Sequence, residues 1–217
     1  MHFLDAWAAL PRLESLRFAV PAALLLVAVL VPGRALARLV TLGLALSLPF
    51  LPGLEAPAWV IAGWVLLWLG ISWQAGLPAS RTARAGARLG GLESGTVGLL
   101  LGPALLALLL AGVARLDLDA ARTRQCSFGV LLVCLGFLHL MLRRHAARAV
   151  TAFAAMGLGL QVMLGAVRAL ATAGSAPPAG LPLLASLLAA ALATRIGRSR
   201  VAATGTAWVS DAHDLHD

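Results

Sequence analysis

Seven stretches of the chain carry no charged residue and read as nearly continuous apolar runs: 18–31, 39–54, 56–73, 97–114, 126–142, 149–167 and 181–193. Within them apolar residues neither alternate with polar ones, as barrel strands require, nor form the stripe every three or four positions that marks a helix of a soluble fold. In lipid a backbone must satisfy its own N–H and C=O groups, so unalternating runs can only be helices. The pattern predicts an all-α, polytopic integral membrane helix bundle of about seven transmembrane helices. It forms a single transmembrane domain over 1–217, with a polar C-terminal tail at 194–217. Crossing ~30 Å of hydrocarbon takes roughly 20 residues at about 1.5 Å each, so the flanks of the shorter runs must lengthen their helices. The first and last runs need this most, which leaves the helix number at six or seven.

Turn-forming residues punctuate the runs at Pro32-Gly33, at Pro52-Gly53 with Pro57, from Gly76 to Gly91, from Asp117 to Gln125, and at Ser175-Ala176-Pro177-Pro178. None of these loops is long enough for a soluble domain. Composition agrees: 60% of the 217 residues are hydrophobic and 12% charged, more apolar surface than a water-soluble domain can hide.

All 17 basic residues are arginine, and the net charge is +8. The arginines sit in short clusters between runs, where they act as topology signals and headgroup contacts, not as a nucleic-acid footprint. If all seven helices span, one face collects Arg34, Arg38, Arg81, Arg84, Arg88, Arg143, Arg144, Arg148, Arg195, Arg198 and Arg200, which is 11 of the 17. That face is expected to be cytoplasmic, with the N-terminus outside, the C-terminus inside, and the chain in a bacterial inner (cytoplasmic) membrane. Asp5 and Glu14 precede the first run without a convincing cleavage pattern, so that run is expected to stay as a helix.

Several residues stand out within the runs. Gly98 and Gly102 form a GxxxG motif for close helix approach, and Pro103 beside them predicts a kink. Trp59 and Trp73 lie near the ends of the third run and suit an interfacial belt; Trp64 and Trp68 are expected to face lipid or a neighbouring subunit. Cys126 and Cys134 read as small packing residues. Polar groups at membrane depth are costly unless paired, which singles out His139 and Gln161. They could serve a proton relay, or His139 could sit near the interface while Gln161 bonds across helices. No Asp or Glu falls inside any run. Glu93, with Ser94 and Thr96, reads as a helix N-terminal cap. Signatures of hydrolases, metalloproteases and phosphate loops are missing from the sequence. In the tail, His213 and His216 could chelate a metal, though such tails are more often solvated.

At Arg143-Arg144-His145-Ala146-Ala147-Arg148, followed by Phe153, Met156, Gly157 and Gly159, the sequence resembles the hydrogenase-4 component E family. Leu101-Gly102-Pro103-Ala104 resembles a Gly-Pro-Ala of that family, and the tail with Arg195, Arg198, Gly205, Thr206, Asp211 and Leu215 also fits. The resemblance implies a non-catalytic membrane-arm subunit of a complex I-like or group 4 hydrogenase-like ion-translocating assembly. Its partners would be antiporter-like and other membrane subunits and the lipid bilayer, and it implies no cofactor. His139, Gln161, Arg143, Arg144 and Arg148 would form polar-pathway or inter-helix contacts, and Gly98, Gly102, Pro103, Gly157 and Gly159 the packing surfaces. The family places an acidic residue in the sixth helix, thought to take part in its proton pathway; here Gly157 stands at that position, and the amide of Gln161 cannot titrate in its place. The alternatives are a self-contained small transporter or a membrane assembly factor. A lipid-acting enzyme would need a general base beside the arginine clusters at 81–88 and 143–148.

Overall fold

The computed structural model describes residues 12–31, 34–51, 56–75, 95–116, 118–142, 146–168 and 180–204. Every regular element among them is helical: α1 (Arg12–Leu30), α2 (Arg34–Ser47), a single 3-10 turn (Leu48–Phe50), α3 (Ala58–Ala75), α4 (Gly95–Arg115), α5 (Ala120–Leu142), α6 (Ala146–Arg168) and α7 (Leu181–Thr204). Ala120–Leu142, Arg148–Arg168 and Leu181–Ala202 are long and apolar enough to cross a membrane, while Ala35–Phe50, Ala58–Gln74 and Leu100–Arg115 are shorter apolar helices.

Polar flanks extend the helices beyond the apolar runs, because they bring capping groups with them. At the start of α5 the Asp119 carboxylate accepts the backbone N–H of Arg122 at 2.7 Å, satisfying one of the orphan donors of the first turn and moving the helix start from 126 to 120. Gly180 adopts φ +87°, and Pro182 lies in the first turn of α7, where its missing N–H costs nothing. That helix continues through Thr204, so the polar tail expected from 194 is helical for its first eleven residues. The run 39–54 is instead cut short. Pro49 tightens the chain into the 3-10 turn, and Leu51 is already extended, the conformation favoured ahead of Pro52.

Packing defines the order of the bundle. α6 is central, touching α2, α3, α5 and α7; α5 in turn carries α1 and α4 on its other sides. α1 and α5 run in the same direction, with Phe18 and Phe128 rings 4.6 Å apart and Glu14 3.4 Å from Arg124. α5 and α6 run antiparallel at very short separation. A Cβ placed on Gly129 would come within 2.6 Å of the Gly159 carbonyl oxygen, and one on Gly136 within 2.8 Å of that of Ala152. Glycines 129, 136 and 159 thus let two backbones meet almost directly, a device for helices that gain nothing from hiding apolar surface in lipid.

The main core joins α1, α2, α3, α5, α6 and α7 through residues such as Leu25, Leu44, Trp68, Phe128, Leu158 and Leu183. A second cluster, with Val113, Cys126, Val130 and Cys134, fastens α4 to α5. Both cysteines are buried and free there. Trp59 and Trp73 are exposed, but Trp68 is 2% exposed and Trp64 packs partly buried against the core. The expectation that Trp64 and Trp68 face lipid or a neighbour is therefore corrected: α3 turns that face inward against α2, α6 and α7.

Candidate functional site

The chemistry available to the bundle lies in the polar side chains held between its apolar helices. Thr41 of α2 and Thr151 of α6 are both fully buried, with hydroxyls 2.8 Å apart. Thr41 also reaches the Ala37 carbonyl at 2.8 Å, and Thr151 reaches the same oxygen at 3.1 Å. Each hydroxyl has a single proton, so two of these three contacts form at once, and every such arrangement ties α6 to α2.

Arg148, in the first turn of α6, is buried and donates to two carbonyls at the end of α1, Ala28 at 3.3 Å and Val31 at 3.4 Å. The last carbonyls of a helix have no intrahelical partners and carry the negative end of the helix dipole, so a guanidinium there satisfies both needs. His139 is completely enclosed on α5. The register that sets Phe18 beside Phe128 brings it to the level of Val29, close to the ends of both α1 and α5, so His139 is enclosed between helices near one end of the bundle.

Gln161 is buried in α6, and its Oε1 accepts the backbone N–H of Gly180 at 3.1 Å. The amide thereby fixes the point where the chain enters α7. Gln125 makes the matching join between α5 and α6, its Nε2 donating to the Val162 carbonyl at 2.9 Å. Arg198 of α7 donates to the Gln74 carbonyl at the end of α3 at 3.3 Å, and the Arg38 guanidinium lies 5.9 Å from the centre of the Trp73 ring. The ends of α1 and α3, the first turns of α2 and α6, and the later turns of α7 therefore gather at one end of the bundle, with Arg38, Arg148 and Arg198 among them.

The glycines divide by face. Gly159 faces α5, whereas Gly157 faces α7, and a Cβ added at 157 would overlap the Ser186 hydroxyl. No side chain larger than hydrogen fits at Gly157 unless α7 moves. Gly102 faces α5, where a Cβ would come within 3.0 Å of Leu138, while Pro103 lies on the exposed side of α4. Gly98 is in the α4 backbone, and Thr96 likewise; their side-chain environments, together with Glu93, Ser94, Arg143, Arg144, His213 and His216, lie outside the described residues. Among the described residues no three His, Cys, Asp or Glu side chains group as a metal site would require.

Thr41, Thr151, Gln125 and the capping role of Arg148 and Arg198 escaped the sequence reading. The available signal was a hydroxyl or amide inside or just flanking a charge-free run, the same test that singled out Gln161. No protein-family model matches the chain, and no curated protein or solved structure shows significant similarity to it.

Proposed function

We propose that the chain is a non-catalytic membrane-arm subunit of a complex I-like or group 4 hydrogenase-like ion-translocating assembly, packing against antiporter-like subunits. In this reading its seven helices cross the cytoplasmic membrane with the N-terminus outside and the arginine-rich helix ends, with the C-terminus, at the cytoplasmic side. The carrying observation is that Thr41, Thr151, Gln125, Gln161 and Arg148 each bond across to another helix or to the chain entering one. Such bonds serve to hold helices together, and Gly157, the position of the acidic residue in the resembled family, is closed by Ser186. The exposed side of α4, with Leu100 and Leu108, offers a partner helix a long apolar face.

The test is affinity purification of the full chain from its native membrane in mild detergent, followed by mass spectrometry. Antiporter-like membrane chains should co-purify. A chain that purifies alone, stays folded and moves a solute in liposomes is a self-contained transporter instead; one that meets its partners only during their insertion is an assembly factor.

A further inference from the structure

We propose that the end of α3 is a binding site for an anionic phospholipid, whose phosphate is held by Arg38 from α2 and Arg198 from α7 beside Trp73. Both arginines converge on consecutive residues of the last turn of α3: Arg38 lies 5.9 Å from the Trp73 ring centre, and Arg198 is 3.3 Å from the Gln74 carbonyl oxygen. The helices that build this corner, α2, α3 and α7, contain no Asp or Glu at all. No ion pair to Arg38 or Arg198 occurs among the described residues, whereas Arg122 and Arg124 at the other end have Asp119 and Glu14. The Nε of Arg38 is buried without a hydrogen-bond acceptor. Among the described residues, then, the helices around this cationic corner supply no counter-anion.

Lipid is the source this chemistry favours. Trp73 is 73% exposed, and a wide indole at a helix end that meets two guanidinium groups matches the headgroup level of a bilayer, apolar on one side and wet on the other. Guanidinium forks suit phosphate oxygens, which they can engage with two parallel N–H bonds. The carbonyl end of α3 would by itself repel an anion, but Arg198 already caps the Gln74 carbonyl, and the N-terminus of α2 lies at the same end of the bundle with the opposite polarity. Leu39 on α2 and Ile196 on α7, each within one turn of an arginine of the corner, are exposed apolar side chains.

Native mass spectrometry of the full chain in mild detergent, with phosphatidylglycerol and phosphatidylcholine supplied in equal amount, reads this directly. Phosphatidylglycerol should be retained about tenfold over phosphatidylcholine. Arg38→Gln combined with Arg198→Gln should abolish that preference, and Arg122→Gln should keep it. Equal retention of the two lipids by the wild-type chain, or an unchanged preference in the double variant, would overturn the proposal. Added inorganic phosphate should leave the lipid adduct in place; displacement would assign the site to free phosphate and overturn the lipid. Should the double variant not fold, brominated lipids decide on folded protein: the fluorescence lost between wild type and Trp73→Phe should be quenched by brominated phosphatidylglycerol more than by brominated phosphatidylcholine, and equal quenching refutes the site.

Discussion

Gly157 of α6 and Ser186 of α7 occupy one contact, with the serine hydroxyl standing where any side chain at 157 would begin. Ser186 bonds back to the Leu183 carbonyl at 2.9 Å within its own helix, so it is held in place and cannot swing aside freely. Gly157→Ala should destabilise the bundle by about 1–3 kcal/mol through overpacking, and adding Ser186→Gly should recover most of that loss. Thermal unfolding of the three variants in detergent checks this; a Gly157→Ala protein as stable as wild type would show that α7 does not press on this position.

The capping of α1 by Arg148 leads to a second expectation. Arg148→Met keeps an unbranched apolar stem but removes the guanidinium, stripping two donors from the Ala28 and Val31 carbonyls, at a cost of about 2 kcal/mol. Lysine, with a point charge in place of a fork, should restore only part of it. Full stability in Arg148→Met would mean that water or headgroups satisfy those carbonyls equally well.

Gln161 holds the entry to α7, so Gln161→Leu should loosen the docking of that helix by about 1 kcal/mol. Limited proteolysis near residue 180 should then speed up several-fold, and assembly with partner chains should suffer more than ion movement. Intact assembly with lost ion movement would instead return Gln161 to a conducting role.

The hydroxyl pair between α2 and α6 predicts coupling. Thr41→Val and Thr151→Val should each cost about 0.5–1.5 kcal/mol, and the double variant less than their sum, because both remove one shared node at the Ala37 carbonyl. Strict additivity would indicate that the two hydroxyls act independently.

Helical class was legible in the sequence because unbroken apolar runs admit one backbone solution in lipid. Helix ends were less legible: caps such as Asp119, and the helical continuation past Thr194, depend on polar residues that a hydropathy reading assigns to loops. The inward turn of Trp68 was hidden for a different reason. A run apolar on every side carries no stripe to show which face meets protein and which meets lipid, so the faces of α3 could only be assigned once α2, α6 and α7 were in place. Gln161 was legible as a residue that needs a partner, since an amide at depth is costly alone; that its oxygen meets a backbone N–H nineteen residues later was not. Thr41 and Thr151 differ from the other hydroxyls in the runs only by where the fold brings them, 110 positions apart.

The central physical claim is that these helices are embedded in a bilayer, and alkaline extraction of membranes followed by detergent tests it most directly. A bilayer-spanning bundle stays with the membrane through the alkaline wash and dissolves only in detergent. Release of the chain into buffer as a folded monomer would contradict it.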